Sequence, residues 1–498
     1  MKIVFADPAK TPAGCVAVFA IPERSLLGYG AALDKATQGA LRRAMAASRF
    51  TGKKGQTLGV MAPNGLAADR VVIAGLGAAK EMTRRSAEGV GGAILGDANG
   101  AGQKALSILV DAPSGSPLSA TELAARIALG LRLRSYRFDK YRTKEKPEQK
   151  PTVTSVTIYV PGATAARKLY AGLEPVADGV FLARDLVSEP PNVLYPASYA
   201  ARARELAKLG LKVEVLGEAR MRRLGMHALL GVGQGSRRES QMVVMRWDGG
   251  RRGEKPLAFI GKGVCFDTGG ISLKPAGGME DMKWDMGGSA AVIGTMRLLA
   301  GRKAKVNAVG LIGLVENMPD GNAQRPGDVV RSMSGQTIEV INTDAEGRLL
   351  LCDVMWYAQE KFDPRLMVEF STLTGAIVVS LGHERAGLFS NDTRLATQLR
   401  EAGSKVGEKL WRMPLGDGYD ELLKSEIADM KNVAGGRGAG SIVAAQFLKR
   451  FVQGNRPWAH IDIAGTAWSS KGDATTPKGA TAYGVRLIDQ FVADNYET

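Results

Sequence analysis

The sequence predicts an α/β fold divided into two domains. The chain has 498 residues, which is longer than a single hydrophobic core usually organises. Short apolar runs typical of buried strands alternate with segments whose apolar residues recur at helical spacing, and this alternation is typical of α/β folds. The apolar runs lie at Val71–Ala74, Met242–Met245, Ala308–Leu314 and Met367–Phe370.

The domain boundary is predicted to lie between about residues 160 and 180. A strand-like run, Val153–Val160, ends in Pro161 and Gly162, and a mostly helical segment follows. Gly172 and Pro175 should divide this helix in two, because proline removes a backbone donor and clashes with the preceding turn. We expect a smaller N-terminal domain over residues 1–162, a connecting helical segment over 163–189 and a larger C-terminal domain over 190–498.

Two carboxylates and a guanidinium are concentrated in the segment Asn342–Leu349. An apolar strand pattern ends at Ile341 and a helical pattern begins near Leu350, so Asp344 and Glu346 should lie in a strand-to-helix loop. Ligands of open α/β sheets bind beyond the carboxyl ends of the strands. The segment is therefore a candidate active-site wall, whereas the simpler alternative is a solvated turn whose acids favour a helix N-terminus.

A second segment, Leu257–Gly270, repeats the order of apolar strand, glycine and charge. It contains Lys262 and Asp267, and its glycines permit tight turns and a close approach of the main chain to a ligand. Asp285 follows, just before a helical run for which Ser289 is the expected N-cap. Acids from two strand ends would form one cluster, and divalent cations neutralise such clusters through carboxylate oxygens.

Histidine and cysteine usage restricts the kind of metal site. The three histidines, His227, His383 and His460, are far apart in the sequence, and no H-E-x-x-H zinc-protease motif occurs. The three cysteines show no C-x-x-C spacing, which excludes a structural zinc ribbon. Oxygen donors must therefore dominate, and Mn²⁺, Mg²⁺ and Zn²⁺ all accept carboxylate oxygens. From the acids alone, a two-metal phosphohydrolase remains an alternative.

The segment Asn342–Leu349 resembles the signature octapeptide of the leucyl (cytosol) aminopeptidase family. Gly261–Gly270 followed by Asp285–Gly288 resembles the other metal-binding block of that family, in the same order and at compatible spacing. Similarity covers most of residues 180–498, whereas the first part of the chain resembles the family only loosely. Other similar blocks are Thr372–Ala376, Ala428–Asn432 and Trp458–Gly465. Glu369 replaces the aspartate that is usual in the family, at a position that is neither metal-binding nor catalytic.

The resemblance implies a catalytic domain with a mixed central sheet flanked by helices, and two divalent ions, Mn²⁺ or Zn²⁺, in each subunit. Asp267 and Glu346 would bridge the two ions. Asp344 would complete one site, and Lys262 and Asp285 would complete the other. A lysine becomes a ligand only after it loses its proton, and an adjacent dication lowers its pKa from the free value of about 10.4.

The resemblance also implies the reaction and the groups that promote it. A hydroxide shared by the two metals would attack the first peptide bond, while one metal would hold the free α-amine of the substrate. Lys274 would stabilise the oxyanion, and Arg348 would hold a bicarbonate ion as general base, because guanidinium binds planar anions in bidentate fashion. The alternative for both residues is an ion pair that balances the acid cluster. The side-chain pocket would be lined by Met282, Thr372, Gly375, Ala464 and Ala467.

In function, the resemblance implies a metal-dependent aminopeptidase that releases leucine and other apolar N-terminal residues from short peptides in intracellular peptide turnover. Family members usually form hexamers, so we expect a homohexamer. The first residues lack the long apolar segment of a signal peptide, and no run of about 18 apolar residues occurs, so we expect a cytoplasmic protein without a membrane segment. Sparse, unpaired cysteines agree with a reducing compartment.

A net charge of +16 at pH 7 is a feature that peptidase activity does not require. Basic and aromatic residues interleave over residues 132–146, and such a stretch can bind nucleic acid through its phosphates. The resemblance provides a precedent, because some bacterial relatives bind DNA. We favour the simpler interpretation that the stretch forms a solvated face, and we keep DNA binding with a regulatory role as the alternative.

Overall fold

A computed structural model describes residues 1–8, 12–436 and 438–497. By their contacts these residues form two compact units, of which the first comprises residues 1–177 and 470–478 and the second comprises the rest. Each unit contains a sheet and helices packed on it, so the predicted two-domain α/β fold is confirmed. The segment Ser470–Lys478, which we expected in the C-terminal domain, groups with the first unit.

The first unit is built on a seven-stranded, mainly parallel sheet. Its strands are β1 (Lys2–Ala6), β2 (Cys15–Ile21), β3 (Ser25–Leu26), β4 (Thr57–Met61), β5 (Arg70–Gly75), β6 (Ala105–Leu109) and β7 (Ser155–Tyr159). They are ordered β1-β7-β6-β2-β5-β4, with β3 paired to β2. The helices of this part of the chain are α1 (Gly28–Ala36), α2 (Ala40–Ala46), α3 (Arg84–Gly100), α4 (Ala120–Arg134) and α5 (Ala163–Ser188).

The second unit contains the remaining strands and helices. The strands are β8 (Lys212–Gly217), β9 (Gln241–Asp248), β10 (Leu257–Asp267), β11 (Asn307–Asn317), β12 (Val329–Arg331), β13 (Thr337–Glu339), β14 (Leu366–Ser371), β15 (Ala386–Ser390), β16 (Leu410–Arg412), β17 (Met430–Lys431), β18 (Trp458–Asp462), β19 (Trp468–Ser469) and β20 (Gly479–Ala480). The helices are α6 (Pro196–Arg204), α7 (Glu218–Arg223), α8 (His227–Gly233), α9 (Gly287–Gly301), α10 (Gly347–Phe362), α11 (Gly375–Leu381), α12 (Thr393–Val406), α13 (Asp417–Asp420), α14 (Gly440–Lys449) and α15 (Val485–Asn495). Within the described ranges, no helix is both long enough and apolar enough to span a bilayer.

An eight-stranded mixed sheet forms the centre of the second unit, in the order β16-β15-β18-β14-β10-β11-β9-β8. The four central strands, β18, β14, β10 and β11, run parallel, so their carboxyl ends lie at one edge, where ligands of such sheets bind. Strands β10, β11 and β14 are almost completely buried, as expected of parallel strands that are covered on both faces. The mixed sheet that the resemblance implied is confirmed.

Helix α5 runs without a break through Pro175, so the predicted division into two helices is wrong. Proline in a helix interior costs about 3 kcal/mol or more. Apolar residues are buried before the proline, at Ala166 and Tyr170, and after it, at Val180 and Leu186. Because fully burying one Val or Leu side chain gives roughly 1.5–3 kcal/mol, this packing offsets the cost of the proline.

Helix α9 begins at Gly287 with Met286 as its N-cap residue, so the prediction that Ser289 is the N-cap is wrong. Ser289 lies in the first turn, and its Oγ donates to the Met286 carbonyl at 2.7 Å. The helix starts in close contact with β14, since a Cβ at Gly288 would lie 2.0 Å from the Phe370 carbonyl oxygen. This approach of helix to sheet sets the helix start, and the local sequence pattern does not reveal it.

Glu369, the departure from the family pattern, forms a buried pair with His460. The two residues are opposite each other in the parallel register of β14 and β18, and both are 0% exposed. Burial lowers the pKa of His460, but the Glu369 carboxylate outweighs that effect and raises it above its usual value. The His460 ring also stacks on Phe389, with ring centroids 5.5 Å apart. This histidine therefore packs inside the central sheet.

The basic stretch 132–146 begins in the last turn of α4 and continues beyond it. Part of its positive charge is paired internally, because Arg137 forms ion pairs with Asp139 and Glu145. Arg142 also lies 3.6 Å from Glu145. DNA binding stays a prediction, since these ion pairs neither require nor exclude a nucleic acid.

Candidate metal centre

The charged residues selected from the sequence converge beyond the carboxyl ends of the central strands. Strand β10 ends at Asp267, and Lys262 lies inside the same strand. Asp285 lies just before α9. Asp344 and Glu346 occupy the loop between β13 and α10, and Glu346 is the N-cap residue of α10. The prediction that these two acids lie in a strand-to-helix loop is therefore confirmed.

Lys262 lies between two carboxylates and is 2% exposed. Its Nζ is 2.8 Å from Asp285 Oδ1 and 2.7 Å from Glu346 Oε1, and it donates to the Thr372 carbonyl at 3.1 Å. Burial lowers the pKa of Lys262, but Asp285 and Glu346 together outweigh it and raise the pKa above its usual range. In this arrangement Lys262 is therefore a protonated counterion of two buried acids.

Lys274 makes the matching contacts on the other side of the cluster. Its Nζ is 2.8 Å from Asp267 Oδ2 and forms an ion pair with Asp344. Burial lowers the pKa of Lys274, whereas Asp267 and the neighbouring acids raise it by more. The Lys274 side chain is 20% exposed, whereas that of Lys262 is 3% exposed. Of these two ammonium groups, that of Lys274 is therefore the one more accessible to a ligand entering from solvent.

Three acids of the cluster, Glu346, Asp285 and Asp344, lie in an environment that disfavours their charge. Burial, followed by the repulsion of Asp267, raises the pKa of Glu346 to about 8. Burial also raises the pKa of Asp285 to about 6, with Lys262 opposing the shift. The pKa of Asp344 is raised by burial and by Asp267. Additional positive charge at this place would therefore stabilise the ionised carboxylates.

The donor atoms fit divalent cations. Ligand oxygens of Asp267, Asp344 and Glu346 all lie within 4.8 Å of one another. Asp285 Oδ2 is buried and has no hydrogen-bond partner among the described residues, whereas Glu346 Oε1 is buried against the Lys262 ammonium, 2.7 Å away. Buried, unsatisfied carboxylate oxygens are costly unless a cation binds them, and Mn²⁺ and Zn²⁺ both accept such donors.

Asn317, at the end of β11, orients the carboxylate of Asp267. Its Nδ2 donates to Asp267 Oδ1 at 2.8 Å and to the Thr343 carbonyl at 3.0 Å. The main-chain carbonyl of Asn317 accepts hydrogen bonds from the N–H of Thr268 at 3.0 Å and from its hydroxyl at 2.8 Å. Sequence reasoning missed Asn317. The available signal was its place three residues after the predicted strand Ala308–Leu314, which in the structure extends to Asn317, just as β10 extends to Asp267.

Arg348 lies in the first turn of α10 and is 6% exposed. Its Nη1 donates to the main-chain carbonyl of Asn432 at 2.6 Å. Its Nε is buried and has no hydrogen-bond partner in the described part of the chain. Burial lowers the pKa of Arg348 to about 10, although Glu346 and Asp462 oppose the shift. The guanidinium therefore keeps a donor free for an anion, in contrast to the ion-paired Lys274.

The predicted pocket residues lie on segments next to the cluster. Gly287 brings two of them together, because a Cβ at Gly287 would lie 3.3 Å from Ala467 Cβ and 3.4 Å from Thr372 Cγ2. The Thr372 hydroxyl also donates to Asp285 Oδ1 at 2.7 Å, which links this wall to the acids. Met282 lies in the turn before Asp285. Gly375 begins α11, and Ala464 follows β18.

Asp462, which sequence reasoning did not select, joins two of these segments. It is 0% exposed, and its Oδ1 accepts the N–H groups of Leu373 at 3.0 Å and Ala464 at 3.2 Å. Its Oδ2 accepts the Thr374 hydroxyl at 2.7 Å. The signal for Asp462 was its place in the block Trp458–Gly465, which the family resemblance had marked without a role.

Comparison with known proteins agrees with this geometry. Residues 16–145 match the N-terminal domain of the cytosol aminopeptidase family, and residues 181–488 match its catalytic domain. The chain is 55% identical to a probable cytosol aminopeptidase of Caulobacter vibrioides, with 100% of both chains covered. It is 53% identical to a probable cytosol aminopeptidase of a Bradyrhizobium species, over 100% of this chain and 99% of the relative.

Solved structures show the same architecture. A tomato leucine aminopeptidase variant is similar with a TM-score of 0.88 and 32% identity, over 99% of this chain and 97% of that chain. The bottromycin maturation enzyme BotP, solved in complex with Mn, is similar with a TM-score of 0.84 and 34% identity, over 97% of this chain and 99% of that chain. The expected homohexamer stays a prediction, because the structure describes one chain.

Proposed function

Because the chain belongs to the cytosol aminopeptidase family and is a metal-dependent aminopeptidase, we propose that it releases unsubstituted N-terminal residues, preferably leucine and other apolar ones, from short peptides. The observation that carries this proposal is the convergence of four carboxylates and two lysines at one edge of the central sheet. The names of its relatives favour a role in cytoplasmic peptide turnover.

We assign the metal ligands as the resemblance implies. Asp267 and Glu346 would bridge two ions, Asp344 would complete one site, and Lys262 and Asp285 would complete the other. When bound, two divalent ions lower the pKa of a water molecule to supply the nucleophile and polarise the scissile carbonyl. The donor set suits Mn²⁺ and Zn²⁺, and the similarity to BotP, solved with Mn, supports manganese.

Lys262 must give up its proton to act in this way. Its present pKa is raised because Asp285 and Glu346 attract the ammonium. A dication beside it would repel the ammonium and engage those same carboxylates, so the cause of the raised pKa would be removed. We therefore expect Lys262 to be neutral in the metal-loaded protein.

Lys274 and Arg348 are proposed to promote the reaction without holding a metal. Lys274 would stabilise the oxyanion, since its ammonium is at the accessible side of the cluster. Arg348 would hold a bicarbonate ion that takes a proton from the nucleophile, because its buried guanidinium has a free Nε donor. Both groups would bind, orient and neutralise negative charge near the reacting carbonyl.

Metal dependence is tested with leucine p-nitroanilide and chelator-stripped protein. We expect Mn²⁺ or Zn²⁺ to restore hydrolysis in the wild type, and Asp344→Ala to remain at least about 10²-fold below it, because one ligand of the site is missing. Asp494→Ala is the control, since it removes only surface contacts, namely an ion pair with Lys405 and a hydrogen bond from Gln490. Equal rates for Asp344→Ala and the wild type would contradict the ligand assignment.

Substrate preference is tested by kcat/KM for the p-nitroanilides of leucine, alanine, lysine and glutamate. We expect leucine to exceed lysine and glutamate by at least about 10-fold, because a charged side chain would lose its hydration in an apolar pocket. Ala467→Leu should lower the leucine-to-alanine ratio, since Ala467 lies in the crowded wall beside Gly287. Similar rates for all four substrates would refute the apolar pocket.

A further inference from the structure

We infer that Asn432 is a positioning residue for the metal centre, which holds the ligand loop 341–346 and the Arg348 guanidinium in one fixed arrangement. This inference rests on the proposed function only for the identity of the ligands. Asn432 is 0% exposed and follows β17, far in sequence from the acids that it supports. It belongs to no ion pair of the cluster, and its contribution depends on geometry alone.

Asn432 extends a β-ladder into the ligand loop by means of its side chain. Strands β13 and β17 pair in parallel up to Glu339, and the Asn432 N–H then donates to the Glu339 carbonyl at 3.0 Å. Beyond this point the side-chain amide of Asn432 makes the hydrogen bonds that a paired backbone would otherwise make. Its Oδ1 accepts the N–H groups of Ile341 at 2.8 Å and Asn342 at 3.3 Å, and its Nδ2 donates to the Asn342 carbonyl at 2.7 Å.

The same amide reaches the next turn of the loop. Asn432 Nδ2 also donates to the carbonyl of Ala345 at 3.3 Å. Ala345 lies between the two carboxylates Asp344 and Glu346, so this hydrogen bond restrains the main chain from which both ligands project. One side chain therefore contacts the loop before and between its ligands.

The main-chain carbonyl of Asn432 provides the link to the proposed anion site. It accepts a hydrogen bond from Nη1 of the buried Arg348 guanidinium at 2.6 Å. Since the Asn432 backbone is fixed by Glu339 and its side chain is fixed by the loop, Arg348 is held at a constant position relative to Glu346.

An asparagine is required at this place by the hydrogen bonds themselves. The group must accept two N–H bonds and donate to two carbonyls, and a carboxylate cannot donate. An apolar residue would leave buried backbone groups unpaired. Because residues that orient metal ligands typically change metal affinity by about 10–100-fold when replaced, we expect an effect of that size on metal binding.

Two variants and one matched control test this inference. Asn432→Asp keeps the shape but loses the donors. Asn432→Ala removes the whole amide without adding charge. Asn307→Asp is the control, because the Asn307 side chain also accepts a hydrogen bond from a backbone N–H and donates to two backbone carbonyls. Asn307 begins β11, whereas the metal cluster lies at the other end of that strand, beside Asn317. Mn²⁺ affinity is measured by calorimetry on full-length protein, and circular dichroism gives the folded fraction.

We expect both Asn432 variants to bind Mn²⁺ about 10–100-fold more weakly while folded, and Asn307→Asp to bind it like the wild type even if its melting temperature falls. Wild-type affinity in either folded Asn432 variant would overturn the inference. If the wild type bound Mn²⁺ but did not cleave leucine p-nitroanilide, the proposed function would fail while the affinity comparison would still decide the role of Asn432.

Discussion

Asp267→Asn is expected to lower kcat/KM for leucine p-nitroanilide by at least about 10³-fold, or about 4 kcal/mol. In the native chain, Asp267 Oδ1 accepts the Gly269 N–H at 2.9 Å and Asn317 Nδ2 at 2.8 Å, while Oδ2 contacts Lys274. An asparagine can keep the first two hydrogen bonds with its carbonyl oxygen. Its NH₂ group would then face Lys274 and the proposed metals, so the local fold persists but the bridging ligand is lost.

The control for this variant is Asp392→Asn. Asp392 is the N-cap residue of α12, where its Oδ1 accepts the Leu395 N–H at 2.7 Å. Asparagine caps helices about as well as aspartate, so this change should affect neither stability nor turnover. Measured Mn²⁺ affinity should fall for Asp267→Asn alone, and a rate within a few-fold of the wild type would exclude Asp267 as a bridging ligand.

Lys274→Met is expected to lower kcat by about 10²–10³-fold with little change in KM, because a charge that meets the oxyanion acts mainly in the transition state. Lys274 also neutralises Asp267 and Asp344 in the present arrangement. Removing the ammonium frees these oxygens, so Mn²⁺ should bind at least as tightly as in the wild type. Steady-state kinetics at saturating Mn²⁺ test the fall in kcat, and calorimetry tests the Mn²⁺ affinity.

The kcat and the Mn²⁺ affinity of Lys274→Met together separate the two roles that the sequence left open for Lys274, namely stabilisation of the oxyanion and charge balance in the acid cluster. If the lysine only balanced the acid cluster, bound metal would take over that function and Lys274→Met would retain its kcat. The surface variant Lys405→Met, which breaks an exposed pair with Asp494, controls for the loss of a positive charge. A joint fall of kcat and Mn²⁺ affinity would identify Lys274 as a structural part of the cluster.

Short-range patterns in the sequence located the candidate site. Asp344 and Glu346 were placed in a strand-to-helix loop by a change of apolar spacing, and Asp267 was placed at a strand end. Such predictions succeed because the alternation of strands and helices is a local property of the chain. The family resemblance then supplied the roles, which spacing alone does not contain.

Two predictions failed where tertiary packing outweighed a local preference. Pro175 was expected to break α5, but buried apolar residues on both sides hold the helix together. Ser289 was expected to cap α9, but the close contact of Gly288 with β14 moved the helix start to Gly287. Helix propensity is a weak prior that packing of this kind routinely overrides.

The sequence by itself determined the fold class, the strand ends that carry acids and the chemical type of the ligands. Only the tertiary structure decided which distant polar groups orient them, namely Asn317 on Asp267, Asn432 on the ligand loop and Asp462 on the pocket segments. The reason is physical. These hydrogen bonds join residues about 50 to 90 positions apart, and they form only after core packing has met the entropic cost of closing such long loops.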